Sequence, residues 1–212
     1  MNEDTGYKIS EYYEDARNAD ASDWKDMETC MGIVRRLHQS DIQVGHRFDI
    51  RERIAFYERL CLSHGGIPYE DYERVRGWMN ELMDSLDKMD RPQCLCHIDA
   101  NVDNFLIFKD GSAKLLDWEY AGMSDPMLDI SMCAIYSYYS EEETERLACL
   151  YLGRELTKEE RFALFANAAL GGFLWSLWAV YKSSLGDEFG EYTLIMYRYA
   201  KSYYRKLKKE ML

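Results

Sequence analysis

The chain of 212 residues is 47% hydrophobic and 30% charged with only three prolines, the composition of a globular protein of one domain or a modest two with a real core. A formal charge of −12 argues against a nucleic-acid backbone or an anionic membrane surface as partner and is compatible with a small cationic ligand. Cys30, Cys61, Cys94, Cys96, Cys133 and Cys149 fall inside apolar patterns, and the acidic first thirty residues hold no signal-like apolar segment, so a reduced, cytoplasmic protein is expected.

In chain order, Asp23 caps a predicted helix in which Met27, Met31, Val34 and Leu37 recur at helical spacing. Two more helices follow, about Ile50 to Cys61 and about Tyr69 to Met89, the second with Val75, Trp78, Met79, Leu82, Met83 and Leu86 on one face. Arg91 to Trp118 is the only β region predicted. It holds a strand at Cys94 to Cys96, another at Phe105 to Phe108, an Asp-Gly turn across Lys109 to Ser112, and a third strand from Ala113 to Leu116. Strand alternation sends Cys94 and Cys96 one way and His97 the other, so these three do not converge as a zinc cluster, and the cysteines read as small buried hydrophobes. Everything beyond is predicted helix, opened by capping boxes at Ser140 to Glu143 and Thr157 to Glu160. The uncharged run from Phe162 to Tyr181 has the length of a membrane span, but Asn167, Ser176, Gly171-Gly172 and the capping box assign it to a buried central helix that Gly186 ends. The basic residues from Arg198 to Lys209 form the solvated face of a last helix.

The chemistry-bearing run is His97-Ile98-Asp99-Ala100-Asn101-Val102-Asp103-Asn104, followed beyond the hairpin by Asp117-Trp118-Glu119. A phosphoryl group in transfer carries charge on its oxygens. It therefore calls for hard oxygen donors to hold Mg²⁺ and one carboxylate to orient the acceptor hydroxyl. Asp99 suits the hydroxyl, and Asn104 and Asp117 suit the metal. The hairpin is expected to bring those two side by side at one mouth.

With these residues the chain resembles the choline/ethanolamine kinase family, and more closely its bacterial choline kinases, in the aminoglycoside-phosphotransferase-like branch of the protein-kinase-like superfamily. The resemblance is carried by Leu95 to Ile130, with Leu116-Asp117-Trp118-Glu119-Tyr120 and Asp125-Pro126 to Asp129-Ile130. It is also carried by Leu174 to Tyr199, with Trp175-Ser176-Leu177-Trp178 and Gly186 to Gly190, and more weakly by Gly6 to Tyr12, similar to the hinge strand between two kinase lobes. It implies a mainly helical α+β fold, the C-terminal lobe of a protein-kinase-like enzyme with a small catalytic hairpin. Residues 1–20 would be hinge strand and linker remnant, and 21–212 the lobe itself.

The same resemblance implies ATP and Mg²⁺ as cofactors and choline or ethanolamine as acceptor. Tyr120, Trp175 and Trp178 would enclose the ammonium, with Glu119 and Tyr136 at the pocket and Ile9, Glu11 and Tyr12 against the adenine. Two tryptophans three apart on a helix are by themselves more often core, and it is the resemblance that turns them into a choline box. Tyr136 departs from the family, which often carries an acid seven positions after the residue matching Asp129. Asp129 is given a structural role, bonding backbone near the catalytic loop. A complete member has a nucleotide lobe ahead of the hinge, expected to be absent here. The chain is then either an enzyme completed by a partner or upstream segment, or a lobe that binds choline-like cations or a protein without turnover. An aminoglycoside-like acceptor stays open, and self-association through the uncovered lobe face is expected.

Overall fold

The computed structural model describes residues 11–210, so Gly6 to Ser10 of the expected hinge, Ile9 among them, lie outside the described residues. The described elements are β1 (Ala16–Asn18), α1 (Trp24–His38), α2 (Ile50–Ser63), α3 (Tyr72–Leu86), β2 (Cys94–Cys96), a 3₁₀ turn (Val102–Asn104), β3 (Phe105–Phe108), β4 (Ala113–Leu115), β5 (Gly122–Ser124), α4 (Pro126–Tyr136), α5 (Glu141–Leu152), α6 (Lys158–Ser184) and α7 (Tyr192–Glu210). The helices start where their capping chemistry puts them. The Asp23 carboxylate accepts from the Lys25 N–H, and Ser140 with Glu143 and Thr157 with Glu160 close reciprocal capping boxes.

Two elements depart from the expected β region. β1, inside the stretch taken as hinge and linker, pairs antiparallel with β3, so the catalytic sheet runs β1-β3-β4. β5 follows the hairpin, where only helix was expected, and pairs antiparallel with β2. Both are three-residue strands, too short for alternation to show. Ala16-Arg17-Asn18 is mostly polar because it is an edge, and β5 starts at a glycine because a Cβ at Gly122 would lie 2.9 Å from the Phe48 backbone nitrogen.

α6 is the axis of the molecule and packs against α7, α4, α2 and α3. It alone among the described helices is long and apolar enough to cross a membrane, yet 89% of its most apolar stretch is buried by its neighbours, as expected of a central core helix. One apolar core gathers α2, α3, α6 and α7 around Phe165 and Phe173, and a second gathers α1, α5 and the hairpin around Met27, Phe105 and Ile130. All six cysteines are free.

Gly172 is where α6 and α7 meet most closely. A Cβ there would lie 2.6 Å from the Met196 carbonyl oxygen and 2.9 Å from the Tyr199 Cβ, whereas one at Gly171 would meet the Met132 sulfur at 2.7 Å, the mobile end of a side chain. Gly172→Ala is expected to cost about 1–3 kcal/mol by overpacking, and Gly171→Ala less. Urea unfolding should show a lower midpoint with unchanged slope for Gly172→Ala, and equal midpoints for the two variants would contradict this account.

Candidate active site

β2 delivers the chain into the loop from His97 to Asn101, which is built around Asp129 near the start of α4. The buried Asp129 carboxylate accepts from the His97 N–H at 2.7 Å, the Ile98 N–H at 2.6 Å and, at 3.0 Å, lies against Nε2 of His38 from the end of α1. Asp129 therefore has the structural role expected of it. Ile98 takes a left-handed conformation, φ 73°, which a β-branched side chain adopts only under constraint. The bond from its own N–H to Asp129 supplies that constraint and turns Asp99 outward.

Three side chains surround the Asp99 carboxylate. Asn104 donates through Nδ2 to the Asp99 carbonyl at 2.8 Å and to its Oδ2 at 2.9 Å, and Asn101 donates to Oδ1 at 3.2 Å. The Tyr136 hydroxyl faces the same carboxylate. Burial pushes the Asp99 carboxyl above its usual range, and Tyr136, Asn101, Asn104 and the nearby His97 offset part of that rise. With its amide nitrogen turned to Asp99, Asn104 presents its carbonyl oxygen the other way, a hard donor of the kind Mg²⁺ prefers.

The hairpin sets Asp117 beside Asn104. The Leu116 N–H donates to the Asn104 carbonyl at 2.8 Å, and the Nε2–H of the buried His97 donates to the Leu116 carbonyl at 2.7 Å, tying the catalytic loop to the end of β4. Asp117 follows at once, exposed and left-handed with φ 62°, a conformation Asp tolerates better than most residues. A carboxylate and an amide oxygen at one sheet end fit the donor set of a hard divalent cation.

Against Asp99 lies a cavity of about 430 Å³ lined by Glu119, Tyr120, Tyr136, Trp175, Trp178, Phe189 and Tyr192 among others. Trp175 and Trp178 stand at 87° with centroids 5.9 Å apart and form two walls of a corner. Tyr120 meets Trp175 edge-on at 5.5 Å, and Phe189 meets Trp178 at 5.0 Å. Five of the residues expected in a substrate pocket thus share one cavity with Asp99. Asn104 and Asp117 sit beside it, not in its lining, while Glu11 and Tyr12 are exposed on the chain entering β1 and do not reach it. Sequence reasoning missed Asn101, Phe189, Tyr192 and Tyr138 as lining residues. Phe189 had a signal, because it lies within the Gly186 to Gly190 stretch already singled out, but the loop's return to Trp178 is a tertiary contact.

The profile described as the phosphotransferase enzyme family matches residues 13–165. A crystal structure of choline kinase LicA from Streptococcus pneumoniae is 30% identical with a TM-score of 0.81, over 92% of this chain and 69% of that one. A structure of LicA in complex with AMP is likewise 30% identical, with a TM-score of 0.84 over 97% of this chain and 71% of that one. Protein LicA of Haemophilus influenzae is 23% identical over 201 residues, 90% of this chain and 74% of that protein. The family match spans the sheet, the Asp99 loop, the hairpin and the first turns of α6, and the chain belongs to the phosphotransferase enzyme family.

Proposed function

We propose that this chain transfers the γ-phosphate of ATP to the hydroxyl of choline, with Asp99 orienting the hydroxyl and receiving its proton. The observation that carries this reading is that Asp99 lines the same cavity as a corner of aromatic rings and Glu119. Choline's quaternary ammonium offers no N–H to donate, so only ring faces and carboxylates can hold it. Held in that corner, its hydroxyl end is free to reach the base. The match to a choline kinase supports the same substrate, and the match to an AMP complex supports a nucleotide donor. Mg²⁺, held by Asn104 and Asp117, would neutralise charge on the transferred phosphate.

The adenine on this reading rests on backbone around Glu11 and Tyr12. The chain spans 69% of the length of the pneumococcal kinase it matches. Six free thiols and the proposed use of ATP support a cytoplasmic reaction.

Calorimetric titration tests the substrate directly. Choline is expected to bind more tightly than ethanolamine, and Trp178→Ala to weaken choline by about 1–2 kcal/mol, the scale of a desolvated cation–π contact. Equal affinity for the two amines, or indifference to Trp178, would redirect the proposal to another hydroxylated acceptor such as an aminoglycoside.

A further inference from the structure

His38, Cys94 and Cys96 converge behind the catalytic loop, on different donors from those proposed for Mg²⁺. One potential ligand atom from each lies within 4.8 Å of the other two. Strand alternation puts both cysteines of β2 on one side, with their sulfurs 3.7 Å apart. Two zinc–sulfur bonds of about 2.3 Å at a tetrahedral angle separate the sulfurs by about 3.8 Å, so the pair is already spaced as an edge of a zinc tetrahedron. The third ligand arrives from α1, whose last residue is His38.

We propose that His38, Cys94 and Cys96 bind one Zn²⁺ ion. The imidazole is already supported for that role. Its Nδ1 lies 2.9 Å from the Tyr151 hydroxyl and its Nε2 lies 3.0 Å from Asp129, so whichever nitrogen coordinates, the other keeps an orienting partner of the kind that metal-bound histidines have. Two thiolates balance the charge of the cation, which makes the complex neutral in a site where Cys96 is fully buried and the His38 side chain is 3% exposed. Cys94 is only half-buried and gives the ion its way in, and a water completes a three-ligand set. Soft sulfur donors select Zn²⁺ over Mg²⁺, which keeps this site chemically separate from Asn104 and Asp117. The ion would join α1 to β2 one residue before His97 and brace the loop that carries Asp99. His97 is not among the ligand atoms that converge there.

The test uses the full chain purified without a metal-affinity step under a phosphine reductant, with metal content measured by mass spectrometry and Co²⁺ titrated anaerobically. The expected result is one metal per chain and a thiolate-to-cobalt charge-transfer band that saturates at one equivalent, is displaced by Zn²⁺ and is accompanied by a higher melting temperature. Cys94→Ser and Cys96→Ser should lose the band, and Cys149→Ser, outside the cluster, should keep it. Should the buried Cys96→Ser fail to fold, Cys94→Ser decides. No saturable band in folded wild-type protein, or a band that survives Cys94→Ser, would each overturn the proposal.

Discussion

Asp117→Asn is expected to abolish phosphoryl transfer, by at least roughly 10²–10³-fold, with the fold unchanged. The substitution isolates the charge. Asn tolerates the left-handed backbone that Asp117 adopts at φ 62°, and the side chain is exposed, so neither strain nor a core defect accompanies it. The substitution removes the formal charge that the proposed metal site needs, and phosphoryl transfer relies almost entirely on positioning and electrostatics. Asp99→Asn should reduce turnover by about 10²–10⁴-fold, the usual worth of a general base, while choline still binds in the aromatic corner. Asn104→Ala combines both defects, because its amide also donates twice to Asp99. The assay is ADP release with choline and Mg-ATP, using the chain joined to a nucleotide lobe, with circular dichroism to confirm folding. Near-normal turnover by Asp117→Asn with tightly bound Mg²⁺ would sink the metal assignment.

Much of this site could be read from residue order because its parts are local. Asp99, Asn104 and Asp117 lie on one loop and one hairpin, and the Asp-Gly turn at 110–111 fixes how that hairpin folds back. The helices were legible for the same reason, since Asp23, Ser140 and Thr157 act within four residues of themselves. What escaped is what depends on segments far apart in the chain. β1 and β5 are too short to have a pattern, and their partners lie in other segments. Nothing near Cys94 announces His38, which comes from α1, and Tyr192 reaches the Trp178 cavity only because α7 folds back along α6. The left-handed Ile98 was illegible in a stronger sense, because local preference opposes it and only Asp129, thirty-one positions on, enforces it.

That enforcement makes Asp129→Ala the most destructive change expected for the fold near the site, at about 3–5 kcal/mol. The carboxylate is fully buried and satisfies two backbone N–H groups and His38 at once, so removal leaves three buried donors without an acceptor. It also releases Ile98, whose backbone stores about 1–3 kcal/mol that the two short bonds offset. A loss of this size is a large part of a typical stability of about 5–15 kcal/mol, so Asp129→Ala should unfold at much lower urea. Asp129→Asn is the informative companion. It keeps the shape and one acceptor oxygen but turns an amide N–H₂ toward donors, so it should fold and yet let the loop relax. Hydrogen exchange at the His97 and Ile98 amides should then quicken. Choline affinity, which the proposed function attributes to rings on α4, α6 and the segment leading into α7, should stay near wild type while turnover falls with the misplacement of Asp99. A variant whose two amides stay protected and whose turnover is unchanged would show that β2 and the hairpin hold the loop without Asp129.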